Sequence, residues 1–195
     1  MEKIFRRKIY DEMLAWKAES AGESALLIEG PRRVGKSTIA QLFAQREYRS
    51  HIIIDFAKAS KEEKGLFNNL SDIDYFFTRL KLLKGVSLYE RESVIIFDEV
   101  QQYPIARQAI KYLVEDGRYD YIETGSLISI KKHTKDITIP SEEERITLYP
   151  MDYEEFRWAL GDEVTIPMLR TFWEKRMGIV PFERYQLTSA AEPAA

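Results

Sequence analysis

IEGPRRVGKSTIAQLF, residues 28–43, passes from an apolar approach through a glycine-bounded loop into a run with apolar residues at Ile39, Leu42 and Phe43. Within it, Gly30-Pro31-Arg32-Arg33-Val34-Gly35-Lys36-Ser37 fits the pattern G-x-x-x-x-G-K-[ST] at every fixed position. The glycines permit backbone geometry that other residues resist, so successive N–H groups can converge on phosphate oxygens. A helix beginning at the end of the loop adds the positive end of its dipole at the same place. Lys36 can reach the β- and γ-phosphates of a nucleotide, and the Ser37 hydroxyl can join a magnesium shell. The expected phosphate cradle is therefore Gly30, Pro31, Arg32, Arg33, Val34, Gly35, Lys36, Ser37 and Thr38. For Arg32 and Arg33 three roles stay open: neutralising phosphate, contacting a neighbouring subunit, or facing water, the default for arginine.

Outward from the loop, the chain alternates between short apolar runs and helical spacing. SALLIEG (24–30) is nearly continuous in apolar residues, the pattern of a strand buried on both faces in a parallel sheet. HIIIDF (51–56), residues 93–97, YDYIETGS (119–126) and ERITLYP (144–150) supply four more strands. A first helix is expected over 3–20, with Ile9, Met13 and Trp16 on one face, Leu14 beside them and Gly22 ending it. Beyond a lysine- and glutamate-rich stretch, Ser71 and Asp74 could cap, in box fashion, a helix with Ile73, Phe77, Leu80 and Leu83 on its apolar face. Pro104 opens another through Ile105, Ala109, Tyr112 and Leu113, which stops near Gly117. Asp152 caps DYEEFRWALG (152–161), and a further helical run lies around 167–177. The alternation predicts an α/β fold, a parallel sheet with helices on both faces.

Composition bounds the rest. A chain of 195 residues with 45% hydrophobic and 31% charged content suits one soluble globular domain. A net charge of -3 gives no general attraction to nucleic acid or anionic membranes. The absence of cysteine excludes a disulfide framework and a thiolate metal site. No secretory signal is visible at the start, and apolar runs such as ALLI and VIIF are too short to span a bilayer. A cytoplasmic location without a membrane partner is expected. Residues 141–163 hold eight acidic and two basic side chains and read as a solvated acidic face. The expected division is a nucleotide-handling domain over 1–161, a helical extension or the start of a further domain over 162–185, and a disordered tail over 186–195.

Residues 94–99, Val-Ile-Ile-Phe-Asp-Glu, extend the reading from binding to hydrolysis. Asp98 at a strand tip can hold magnesium, usually through water, and Glu99 is then placed to orient and partly deprotonate an attacking water. No [NT]-K-x-D string reads guanine, since Thr134-Lys135-Asp136-Ile137 fails at its last position. No D-x-x-G follows the third strand either, because Asp98 is followed by Glu-Val-Gln. ATP is favoured over GTP. The fourth strand ends Glu123-Thr124-Gly125-Ser126, where Thr124 or Ser126 could sense the γ-phosphate or hold the water, or form a turn satisfying its own backbone.

GPRRVGKST (30–38), IIFDEVQQYP (95–104), ETGS (123–126) and ITLYPMDYEEF (146–156), in this order and spacing, resemble the predicted bacterial and archaeal ATPases of the AAA superfamily. The likeness covers roughly residues 5–160, and the Leu-Tyr-Pro segment before an acidic-aromatic helix discriminates it from other P-loop ATPases. The resemblance implies an AAA-type P-loop core with a five-stranded sheet in the order 5-1-4-3-2. It implies Lys36 and Ser37 at phosphate and magnesium, Asp98 at magnesium, Glu99 as base, and Thr124 or Ser126 as sensor, with ATP and Mg2+ as cofactors. The family's glycine-arginine pair before the fifth strand, a candidate finger acting on a neighbouring subunit, is replaced here by Ser141-Glu142-Glu143-Glu144, with Arg145 a weak substitute. Family members commonly continue into a large C-terminal domain of unknown function, so a chain ending soon after Arg184 is expected to be a fragment or a shortened member. The expected activity is magnesium-dependent ATP hydrolysis driving a conformational switch, with a homo-oligomer or a protein client as partner. A nucleotide-gated regulatory module with little turnover and a small-molecule kinase remain as alternatives. The acidic balance gives nucleic-acid processing no help.

Overall fold

The computed structural model describes residues 5–20, 22–68, 70–126 and 141–176. The five apolar runs form strands β1 (Ala25–Gly30), β2 (Ser50–Asp55), β3 (Ser93–Asp98), β4 (Asp120–Ser126) and β5 (Glu143–Thr147). All neighbours pair in parallel in the order β2-β3-β4-β1-β5, which is the expected order read from the other edge. Helix α1 (Ile9–Ser20) precedes β1, α2 (Lys36–Glu47), α3 (Lys61–Gly65), α4 (Ile73–Lys84) and α5 (Pro104–Asp116) run between the strands, and β5 is followed by α6 (Tyr153–Ala159) and α7 (Thr165–Glu174).

Period-two alternation divides the strand residues between two cores. Leu26, Ile28, Val94, Ile96 and Ile122 face Ile9, Met13 and Trp16 of α1 and Ile39, Ala40 and Phe43 of α2. Ala25, Leu27, Ile52, Ile54, Ile95, Phe97 and Tyr121 face Phe76, Phe77 and Leu80 of α4 and Ala106, Ala109, Ile110 and Leu113 of α5. Each large side chain withdrawn from water in this way contributes about 1.5–3 kcal/mol. Helices therefore cover both faces, as the alternation predicts.

The local expectations need four corrections. The first helix starts at Ile9, not residue 3. Residues 5–7 are not helical, residues 3 and 4 lie outside the described residues, and Leu14 is exposed. The polar stretch contains the short helix α3, whose N-cap Ser60 exchanges a full capping box with Glu63. Helix α4 is capped by Asp72, whose carboxylate accepts from Tyr75 N at 2.8 Å, instead of by Ser71 with Asp74. In α5, Ala109 and Leu113 face inward as expected, but Ile105 and Tyr112 point to solvent, and Ala106, Ile110 and Val114 complete the inward stripe. Two apolar stripes one residue apart share that helix, and only packing against the sheet chooses between them.

The acidic stretch is a solvated face only in part: Glu144, Asp152 and Glu163 are exposed, whereas three other carboxylates are buried. The Glu143 side chain is fully buried and clamped by the Arg107 guanidinium through two bonds at 2.7 and 2.8 Å, with Arg145 at 2.8 Å. Glu154 and Glu155 are buried too, meeting Lys8 at 2.7 Å, Arg170 at 2.6 Å and Arg7 at 3.2 Å. Three of those cations, Arg107, Lys8 and Arg7, come from far upstream, where a local charge count cannot see them.

Beside this cluster Glu123 is wholly buried, and neither of its oxygens finds a hydrogen-bond partner among the described residues. Burial first, and then the charge of Glu143, hold its carboxyl well above the ordinary value of 4.5. The folded state thus keeps a proton that the unfolded chain releases, so this group's stabilising contribution is lost as pH rises above about 4.5 toward the folded pKa. Glu123→Gln is expected to flatten that dependence. In thermal melts from pH 5 to pH 8 its advantage over the parent should widen with pH, and a constant difference would contradict the buried-acid account.

Candidate active site

The carboxyl ends of β1, β3 and β4 lie side by side, the place where open α/β sheets bind ligands. Gly30 closes β1 opposite Ser126 with φ 152°, and a Cβ there would stand 2.2 Å from the Leu148 carbonyl oxygen. The loop then turns through Arg33 (φ 64°) and Gly35 (φ 97°), both in the left-handed region. Gly35 is the N-cap of α2 and has no side chain to close the helix, whose first intrahelical bond runs from Ile39 N to Gly35 O at 2.9 Å. The amide groups of Lys36, Ser37 and Thr38 therefore sit at a helix N-terminus with no side-chain cap, which suits an anion.

Lys36 is buried and donates from Nζ to the carbonyls of Gly30 at 3.2 Å and Pro31 at 2.7 Å. Burial lowers its pKa, while the charges of Glu99 and Asp98 work in the opposite direction. Arg32 and Arg33 are both exposed.

One hydrogen-bonded chain joins the loop to the acidic strand end. Ser37 Oγ donates to Asp98 Oδ1 at 2.6 Å, and the Thr124 hydroxyl donates to the same oxygen. The Glu99 backbone N–H donates to Thr124 Oγ1 at 3.2 Å, and the Glu99 carboxylate accepts from the Gln101 side-chain amide. Glu99 itself has φ 54°, a left-handed conformation costing a non-glycine residue about 1–2 kcal/mol. Strain of this kind clusters at functional sites. Thr124 is thus the hydroxyl in contact with the acidic pair, whereas Ser126 is buried two residues further on, beside Gly30.

A family model described as "AAA domain" matches residues 22–157, more than half of the chain. The chain belongs to the AAA domain family. No curated protein matches it. Solved structures similar to this AAA domain include the Thermotoga maritima RuvB Holliday junction branch migration motor, at 14% identity and TM-score 0.45 over 80% of this chain and 51% of that one. C. elegans PCH-2 matches at 12% and 0.45 over 97% and 55%. The closed state of Hsp104 with ATPγS and FITC casein matches at 17% and 0.48 over 85% and 30%. The chain thus spans about half the length of the first two and less than a third of the third.

Within the AAA domain, Ser37 Oγ and Asp98 Oδ1 form a pair of hard oxygen donors of the kind magnesium prefers, and Asp55 stands next to Asp98 in register. Among the described residues no group of three His, Cys, Asp or Glu side chains gathers to hold a metal. A magnesium ion here would take its remaining ligands from phosphate and water, its usual arrangement at a nucleotide. Arg145 is not brought to this site. It lies in the middle of β5, opposite Leu27, and is tied to Glu143. Among the described residues no helix is long and apolar enough to cross a membrane.

Two contacts went unread in the sequence. Gln101 stands in the quoted IIFDEVQQYP, two residues after Glu99, and that proximity was the available signal. Arg7 gives no local signal, since its partners lie 27 and 142 residues away.

Proposed function

We propose that this AAA domain binds ATP with magnesium, hydrolyses it to ADP and phosphate, and uses the cycle as a conformational switch. The observation that carries this reading is the continuous link Ser37–Asp98–Thr124–Glu99, which ties the phosphate loop to the ends of β3 and β4. In this reading Lys36 exchanges its carbonyl partners for β- and γ-phosphate oxygens, and the amides at the start of α2 take up the phosphate charge. Ser37 and Asp98 would hold the magnesium, which supplies charge neutralisation on the phosphates. Glu99 orients a water and accepts its proton as the water oxygen bonds to the γ-phosphorus and the bond to the β–γ bridging oxygen breaks. Thr124, touching both acids, is placed to report whether the γ-phosphate is present. Residues 1–161 are proposed as the working unit. The extension over 162–185 includes α7, which has no buried residue; residues 177–185, like the tail over 186–195, lie outside the described residues.

Phosphate release from ATP, with and without magnesium, tests the reading beside Lys36→Ala. Loss of the buried ammonium should weaken ATP binding by about tenfold to a hundredfold, the scale of one or two charge-assisted bonds. Equal hydrolysis by parent and variant would remove the assigned site.

The hold of Gln101 on Glu99 favours a second reading, a nucleotide-gated module with little turnover. It requires that ATP bind tightly while the parent's phosphate release stays no faster than that of a chain lacking the Glu99 carboxylate. A homo-oligomer or a protein client is the proposed receiver of the switch.

A further inference from the structure

We propose that Arg7 is a positioning residue for the phosphate loop, fixing the peptide plane between Val34 and Gly35 from behind. Its guanidinium is buried and spans three separate parts of the chain. It donates to Val34 O at 3.1 Å and to Tyr149 O at 2.6 Å, and it pairs with Glu155 Oε1 at 3.2 Å.

The peptide unit is planar and trans, so the Val34 carbonyl and the Gly35 N–H point in opposite directions. Anchoring the carbonyl on the outside of the loop therefore sets where the Gly35 N–H points on the inside. Gly35 has φ 97° and no side chain to restrict its turn, so the plane needs an external hold. Arginine suits that task because its rigid fork reaches two carbonyls and a carboxylate at once.

The segment behind the loop is itself braced. The Leu148 carbonyl abuts Gly30 at one end of the loop, and the Tyr149 carbonyl shares Arg7 with Val34 near the other. Glu155 is held in turn by the backbone N–H groups of Lys8 at 2.7 Å and Asp152 at 3.1 Å. The loop's shape thus depends on the start of the chain and on the capped turn of α6.

This inference rests on the nucleotide reading of the loop, so its test needs one readout independent of any ligand. Arg7→Lys keeps a positive charge for Glu155 but loses the fork spanning Val34 and Tyr149. Glu155→Gln removes the ion pair and keeps both of Arg7's carbonyl bonds. In the nucleotide-free protein, hydrogen exchange at residues 32–36 should accelerate about tenfold in Arg7→Lys and stay near the parent's rate in Glu155→Gln. With ADP and magnesium as the calorimetric probe, Arg7→Lys should bind about tenfold more weakly. Its turnover at saturating ATP should stay within about threefold of the parent, the signature of lost binding and not of lost chemistry.

Unchanged loop exchange in Arg7→Lys overturns the proposal, as does equal acceleration in both variants, which marks a plain structural staple. Faster loop exchange in a protein whose parent binds no ADP would leave the role of Arg7 standing and bring down the nucleotide reading instead.

Discussion

A Glu99→Gln chain should bind ATP at least as tightly as the parent and turn it over about 100- to 10,000-fold more slowly, the range of a lost general base. The substitution preserves shape. Its amide oxygen can still accept from Gln101, and its backbone can keep the hydrogen bond from Glu99 N to Thr124 Oγ1. What goes is the basic oxygen and one negative charge. That charge partly offsets the lowering of the Lys36 pKa by burial, and it would repel a triphosphate, so affinity holds or improves. Binding by calorimetry together with single-turnover phosphate release separates the two effects. Tight binding with an unchanged slow rate would assign the domain to the nucleotide-gated reading.

Gly30→Ala has the second large expected effect, and on the nucleotide-free protein. The added methyl would stand 2.2 Å from the Leu148 carbonyl oxygen, a backbone atom already fixed because Leu148 N donates to Glu29 O at 2.8 Å. Neither partner can rotate away. Adding the cost of an unfavourable φ to that of overpacking gives on the order of 3 kcal/mol. For a domain of this size that lowers the melting temperature by roughly 6–12 °C. Gly35→Ala is the control. Its φ is also positive, but nothing lies within 4 Å of the added carbon, so only the backbone term of about 1–2 kcal/mol remains. Equal melting temperatures for the two variants would show that Leu148 yields and that the loop's base is softer than its geometry implies.

The fold was legible wherever the signal is local and repeated. ALLI, HIIID and SVIIF are strands because nothing shorter than a sheet can bury such runs, and their alternation with helices makes the sheet parallel. The sheet order came from the family resemblance. The site was legible in its fixed positions, because a phosphate cradle needs Gly30, Gly35, Lys36 and Ser37 in one continuous stretch. Its cross-chain bonds were not. Thr124 and Ser126 face the same way and are equally plausible on paper. Only the pairing of β4 between β1 and β3 puts Thr124 against Asp98 and Ser126 against Gly30. Cap positions such as Asp72, and the inward stripe of α5, turn on differences of one residue. Side-chain packing decides those.

The strand order also has a consequence in time. β1 is made first, yet its neighbours in the sheet are β4 and β5, the last two strands. From Gly30 to Asp120 the ribosome must add 90 residues, which at 5–20 residues per second takes about 5–18 s. Throughout that interval Ala25-Leu26-Leu27-Ile28, fully buried in the finished protein, has neither edge paired. The nascent chain therefore carries an open, sticky strand while almost half of these 195 residues are being added, an interval in which translation speed and chaperone supply should affect its yield.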